Sequence, residues 1–145
     1  MMQRAKWTTL FLLLALLLGA CGQADQQPGS GVDPGLSENV DGYVHISVDQ
    51  LAGMMEDKDF TLVNVHIPYE GEIPETDLFI PYDEIQARLD DLPARDTPIV
   101  LYCRSGGMST TAAKVLVDEG YTKVFELDGG FNAWKAQGYE LLDKR

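Results

Sequence analysis

Seven consecutive residues concentrate the chemistry of this chain: Cys103-Arg104-Ser105-Gly106-Gly107-Met108-Ser109. The glycines let the backbone turn with its N–H groups pointing inward, which makes an anion-binding nest. A helix starting just afterwards adds partial positive charge at its N-terminus. A cysteine held in such a place has a depressed pKa and is a nucleophilic thiolate. The same spacing also fits a buried structural cysteine ahead of a glycine turn, so the pattern by itself leaves both readings open.

Such a loop must be positioned by a strand before it and a helix after it, and the flanking sequence supplies both. Pro98 precedes Ile99-Val100-Leu101-Tyr102, a continuous apolar run of the kind found in central parallel strands. Ser109, Ala112, Ala113, Leu116 and Val117 share one helical face, and Gly120 suits the C-terminal cap. Upstream, Tyr43-Val44-His45-Ile46 is a short strand candidate, and Ser47 with Gln50 forms a capping box for a helix carrying Leu51, Met54 and Met55. Thr61 to Val65 and Leu78-Phe79-Ile80 read as further strands, the latter stopped by Pro81. Asp83 is placed to cap a helix bearing Ile85, Leu89 and Leu92. Val124 to Leu127 is another strand, and Phe131 and Trp134 open a last helix that stops at Gly138. This alternation predicts an α/β fold with a mainly parallel central sheet flanked by helices on both faces. In such sheets ligands sit beyond the C-terminal strand ends, which is where Cys103 falls.

The chain has 145 residues, enough for one ordinary domain. With Lys plus Arg 11 against Asp plus Glu 23, the net charge is -12. That argues against nucleic acid as a partner and against electrostatic attachment to anionic lipid. Two cysteines exclude a disulfide-rich scaffold and a four-cysteine metal site. No metal and no organic cofactor are expected.

The N-terminus reads as an address. Arg4 and Lys6 precede an apolar run from Leu10 to Leu18, the order of a secretory signal peptide, and the run is too short for a bilayer span of roughly 20 residues. Leu18-Gly19-Ala20-Cys21 resembles the bacterial lipobox, and that resemblance implies cleavage before Cys21 and acylation of its thiol. An ordinary cleavable signal with a chance cysteine is the alternative. Several acyl chains at about 0.8 kcal/mol per buried methylene anchor a protein stably. The expectation is a signal peptide over 1–20, a flexible tether rich in Gly, Gln, Asp, Pro and Ser over 21–39, and a folded domain over 40–145. That domain would be extracytoplasmic, in the cell envelope, held to a membrane by lipid at Cys21 alone. Gly22 follows Cys21, so the Asp retention signal known at that place in some envelopes is absent.

Cys103-Arg104-Ser105-Gly106 with Ser109, then Ala112-Ala113, Leu116, Gly120-Tyr121, Val124, Leu127, Gly129-Gly130-Phe131 and Ala133-Trp134, resembles a single-domain rhodanese. The likeness runs from about Val40 to the C-terminus and is most specific from Ile99 to Gly138. It implies a rhodanese-like fold and a sulfurtransferase that moves sulfane sulfur from a thiosulfate-like anion or a persulfide donor to a thiol or other thiophilic acceptor, small or protein. It makes Cys103 the catalytic nucleophile and persulfide carrier. The backbone N–H groups of Arg104, Ser105, Gly106, Gly107, Met108 and Ser109 would cradle sulfur and donor. The alternative is a non-catalytic module of the same fold that binds a partner protein or stores sulfane sulfur.

Two departures from the family pattern stand out. Many rhodaneses carry a second Arg late in the loop; here Gly107 and Met108 fill those places, leaving Arg104 as the only loop cation. The family's Asp-Val-Arg and Gly-His-Ile-Pro segments are replaced by Asn64-Val65-His66 and Gly71-Glu72-Ile73-Pro74, so Pro68 to Asp77 is expected to shape the pocket differently. Cysteine phosphatases of similar fold place Arg after Cys and five residues; here that position is Ser109, which disfavours phosphatase chemistry.

The remaining signals have plain readings. Glu70, Glu72, Glu75 and Asp77 are expected to form a solvated acidic loop, since they match no calcium-loop spacing. His45 and His66 are too few for a zinc site and are expected in surface or core roles, although His66 falls where the family's equivalent residue lies near the active loop. Phe131 and Trp134 should pack the last helix on the sheet; Tyr69 fits either pocket lining or loop packing. If Cys21 is acylated, Cys103 is the only free thiol, which excludes an intramolecular dithiol pair.

Overall fold

A computed structural model describes residues 41–144. The predicted signal peptide and tether, with Cys21, Val40 and Arg145, lie outside the described residues.

Five strands, β1 (Val44–Ile46), β2 (Thr61–Asn64), β3 (Leu78–Phe79), β4 (Ile99–Tyr102) and β5 (Val124–Leu127), form one sheet in the order β1-β5-β4-β2-β3. Every pairing is parallel. Three α-helices, α1 (Val48–Met55), α2 (Gly107–Asp118) and α3 (Gly130–Ala136), and a 3-10 helix (Ile85–Asp91) complete the fold. The strand β4 is central and all four of its residues are buried, as its unbroken apolar run requires of a strand covered on both faces.

Alternation along β4 divides the core. Ile99 and Leu101 point to one side, where they pack with Ala112, Ala113 and Leu116 of α2 and with Ile85 and Leu92 from the 3-10 region. Val100 and Tyr102 point to the other, with Leu51 of α1 and Phe131 and Trp134 of α3. Helices therefore cover both faces, as the sequence predicts. Each fully buried Leu, Ile or Val in these layers contributes roughly 1.5–3 kcal/mol of transfer free energy. The small pair Ala112-Ala113 lets α2 lie close on β4 and β5.

The predicted ends are met at several places. Ser47 and Gln50 make both halves of the capping box. At the end of α2, Gly120 takes φ +88°; its N–H donates to Val117 and the Tyr121 N–H to Leu116, a Schellman motif. Asp83 is a correction. It caps nothing: the helix after it begins beyond Glu84, without a side-chain cap, and winds as 3-10 with a non-helical residue, Arg88 (φ -119°), inside. The Glu84 N–H closes instead on the Pro81 carbonyl, so the turn after Pro81 consumes the residues that a capped α-helix would need.

The acidic segment departs from expectation at Glu72. Glu72 is buried and paired with Lys144 at 3.1 Å. Asp77 pairs with Lys58 at 2.6 Å and accepts the Leu62 N–H at 2.7 Å. These two carboxylates tie the β2–β3 connection to the sheet and the C-terminal segment, where Glu72 and Leu142 form an antiparallel bridge; Glu70, Glu75 and Asp77 are exposed, as expected of a solvated acidic loop, and Glu72 alone of the four is buried. Tyr102 fixes it from below, its hydroxyl accepting the Ile73 N–H at 3.0 Å and sharing a proton with Thr76 Oγ1 at 2.7 Å. Burial pushes that phenol well above its ordinary range, against the hydrogen bonds from Thr76 and Ile73, so it stays a neutral hydroxyl.

Candidate active site

Cys103 follows the last residue of β4, and its side chain is 2% exposed. The turn from β4 to α2 passes through Gly106 at φ +104°, a conformation that costs glycine little and other residues more. That turn points N–H groups back at the sulfur. The Gly106 N–H donates to Cys103 Sγ at 3.1 Å and the Ser109 hydroxyl lies 3.4 Å from it. Burial pushes the Cys103 thiol up, but hydrogen bonds from the Ser109 hydroxyl and from the backbone N–H groups of Ser109, Ser105 and Gly106 together bring it below its ordinary value. Stabilisation of the charged form by donors thus outweighs desolvation.

The loop is braced from behind by α3. Phe131 N–H donates to the Cys103 carbonyl at 2.9 Å and Asn132 N–H to the Arg104 carbonyl at 3.0 Å. This approach requires Gly130, where a Cβ would stand 2.2 Å from the Cys103 oxygen and 2.7 Å from the Arg104 carbonyl carbon. With the loop's carbonyls held by α3, its N–H groups are left to face the sulfur.

All seven predicted loop residues, Cys103 through Ser109, are brought together, in different ways. Ser109 is fully buried. Gly107 and Met108 open α2, and Met108 packs against the core. Arg104 is half-exposed, and its guanidinium pairs with Glu70 at 3.2 Å. The same Glu70 oxygen lies 3.3 Å from His66 Nε2, outside hydrogen-bond geometry. The contact with His66, opposed by desolvation and aided by the charge of Arg104, holds the Glu70 carboxyl below its ordinary value. His66 is buried edge-on against Phe131, with ring centroids 5.3 Å apart. This is the core role expected of it. Asn64 bonds the Gly71 carbonyl at 3.1 Å and the His66 N–H at 3.0 Å, so the altered segment serves to hold the 64–71 turn. Tyr69 packs edge-on against Phe79 and, with Glu70, Gly71, Leu141, Leu142 and Asp143, lines an open cavity whose lining includes none of the residues Cys103 to Ser109.

The sequence reading missed Glu126. This carboxylate lies on β5 facing α2, 1% exposed, bonded to Ser109 Oγ at 2.6 Å and to His45 Nδ1 at 2.8 Å. The signal was available: one acid inside Val124-Phe125-Glu126-Leu127, at a position the alternation assigns to the core. No group of three or more His, Cys, Asp or Glu suited to a metal occurs among the described residues.

Residues 47–137 match the model of the rhodanese-like domain. The chain belongs to the rhodanese-like domain family. A sulfurtransferase of Allochromatium vinosum is 35% identical over 92 residues, covering 61% of this chain and 84% of its own. A thiosulfate sulfurtransferase GlpE of Vibrio cholerae is 29% identical over 96 residues, covering 66% and 91%. Among solved structures, a rhodanese-like domain protein from Staphylococcus aureus is 27% identical with a TM-score of 0.58, covering 68% of this chain and 98% of that one. The expectation of a sulfurtransferase-type rhodanese enzyme agrees with these relatives, and the rhodanese-like fold agrees with the sheet order and its helices.

Replacing Ser109 with Ala removes one hydrogen bond to the Cys103 sulfur. The midpoint of Cys103 alkylation against pH, followed on the Cys103 peptide by mass spectrometry, should move upward from wild type. An unmoved midpoint would mean that the backbone donors alone set the thiol's acidity.

Proposed function

We propose that this rhodanese transfers sulfane sulfur through a persulfide on Cys103. The observation that carries the reading is the ring of donors from Ser105, Gly106 and Ser109 around one sulfur, which lowers the thiol's pKa despite its burial. With thiosulfate as donor, the Cys103 thiolate attacks the outer sulfur. A new S–S bond forms, the old one breaks, and sulfite leaves with the electron pair. The persulfide's terminal sulfur carries the negative charge, and the loop N–H groups are suited to stabilise it. An acceptor thiolate, or cyanide, then attacks that terminal sulfur, and Cys103 leaves as thiolate. No oxidant, metal or organic cofactor enters the balance.

Glu70 bears on the choice of donor. It occupies Arg104, the only cation of the loop, so a dianionic donor must compete with a carboxylate already in place. This favours small persulfides over thiosulfate, and it is also the observation that keeps alive a binding or sulfur-storing module without fast turnover. We further propose, on the Leu18-Gly19-Ala20-Cys21 motif, that the domain works outside the cytoplasm, tethered by lipid at Cys21 through the 21–39 segment.

Three experiments test these readings. After thiosulfate or a small persulfide, intact mass should show one added sulfur, removed by a reducing thiol and absent from Cys103→Ser; a Cys103→Ser chain that still transfers sulfur would refute the mechanism. Glu70→Gln should raise kcat/KM for dianionic thiosulfate about two- to fivefold, the scale of an exposed ion pair, and change it less for a singly charged persulfide donor; equal effects on both donors would remove Glu70 from specificity. Cys21→Ala should shift the protein from the membrane fraction to the soluble one, and retention in the membrane would refute the lipid anchor.

A further inference from the structure

The buried carboxylate of Glu126 is not used by the mechanism above, yet it sits one hydroxyl away from the nucleophile. Three elements converge on it. His45 of β1 is its direct cross-strand neighbour in the parallel pairing. Ser109 comes from the first turn of α2. Gly106 of the loop is so near that an added Cβ would lie 3.5 Å from Glu126 Oε1. The titratable groups around Glu126 are His45 on β1, Asp128 just past its own strand, and Cys103, reached from β4 through Ser109. A carboxylate in a sheet core costs stability unless it is bonded, and here both oxygens are: Oε1 to Ser109 at 2.6 Å, Oε2 to His45 at 2.8 Å. The His45 side chain is 46% exposed, so the chain of contacts runs from a buried sulfur to solvent without a gap.

We propose that Ser109, Glu126 and His45 form the path by which the Cys103 proton leaves for solvent and returns, with Glu126 and His45 as positioning residues that act on the sulfur through Ser109. This rests on Cys103 being the sulfur carrier. The Ser109 hydroxyl has one proton and three acceptors in reach: Cys103 Sγ, the Gly106 carbonyl at 3.0 Å and Glu126. In the resting form Ser109 donates to ionised Glu126, Cys103 keeps its S–H, and His45 Nδ1 lies against the other carboxylate oxygen. On activation the S–H bond breaks and its electron pair stays on sulfur. That proton joins Ser109 Oγ as the serine's own proton passes to Glu126 Oε1. The now neutral carboxyl passes a proton on to the His45 ring and is restored as carboxylate, and the exposed ring gives one proton up to water. Charge and protons balance: one thiol proton enters the path and one ring proton leaves it. The reverse sequence reprotonates Cys103 when the sulfur has been passed on. Burial pushes the Glu126 carboxyl up, against the hydrogen bonds from Ser109 and His45, the direction that favours its taking a proton.

The test uses the full-length chain and two variants, Glu126→Gln and His45→Ala. The first readout is the pH profile of Cys103 alkylation on the Cys103 peptide. Wild type should show two coupled ionisations, and each variant one. The second is turnover in weak buffer. His45→Ala should lose about tenfold, less than the ~10²–10⁴ of a direct general acid or base, and free imidazole should restore it in a saturable way. Profiles that superimpose on wild type in both variants would overturn the path, as would a loss in His45→Ala that imidazole does not repair. His45 is exposed, so its variant decides the matter even if Glu126→Gln fails to fold. Alkylation needs no sulfur transfer, so failure of the sulfurtransferase reading, seen as no sulfur adduct, is distinct from failure of the path.

Discussion

The structure around Cys103 follows from one requirement: a sulfur atom buried at the end of a strand can carry negative charge only if N–H groups with no better acceptor point at it. Backbone N–H groups in helices and sheets are already committed to carbonyls. Free ones occur where a helix begins, so the sulfur must sit at the junction of β4 and α2, and the chain must turn there within four residues. Gly106 in its left-handed conformation supplies the turn. The loop's own carbonyls must then be directed elsewhere, and the N-terminus of α3 accepts that task through Phe131 and Asn132. That contact in turn needs Gly130, since any Cβ would strike the Cys103 carbonyl. Two glycines far apart in sequence are thus parts of one device, the first aiming donors at the sulfur and the second letting a helix remove competing acceptors.

The larger fold was legible where burial on both faces left no choice of structure. Ile99 to Tyr102 is apolar throughout, and β4 is covered by helices on both sides. The α2 face and its Gly120 end were equally plain, because small and apolar residues recur at helical spacing and a glycine stands where the Schellman turn needs one. The segment after Asp83 was not legible. Ile85, Leu89 and Leu92 have helical spacing in either a 3-10 or an α-helix, and the choice was made by the turn after Pro81 and the break at Arg88. In the acidic cluster, the burial of Glu72 and the pairing of Asp77 were hidden for a related reason. Charges that look solvated in one dimension find Lys58 and Lys144 only when the chain is folded, one from before the cluster and one from the far end.

The site was legible in its centre and obscure at its edges. Cys103 to Ser109 is a contiguous stretch, and contiguous residues keep their spacing in space. Glu70, His66, Glu126 and His45 reach the loop from β1, β5 and the segment after β2, and only pairing order brings them together. His45 and Glu126 are 81 residues apart yet are neighbours because β1 pairs with β5. One internal mark did exist for Glu126, an acid at a core position of a strand, and it was readable only by asking why an apolar residue had been forgone there.

Charge placement gives these edges a common logic. The domain is strongly acidic, and its catalytic loop offers a single cation that Glu70 already engages. Long-range attraction of anions is therefore weak, and the charge on sulfur must be stabilised by fixed dipoles at short range. Such dipoles act best where water is excluded, which is why Cys103 and Ser109 are buried rather than displayed. Burial then isolates the thiol from the solvent that would ordinarily take its proton. A polar connection to the surface becomes useful for the same reason that the sulfur is hidden, and the only polar side chains running from Ser109 to an exposed ring among the described residues are Glu126 and His45. The carboxylate that a packing argument would remove from β5 is thus the group that a buried thiolate needs.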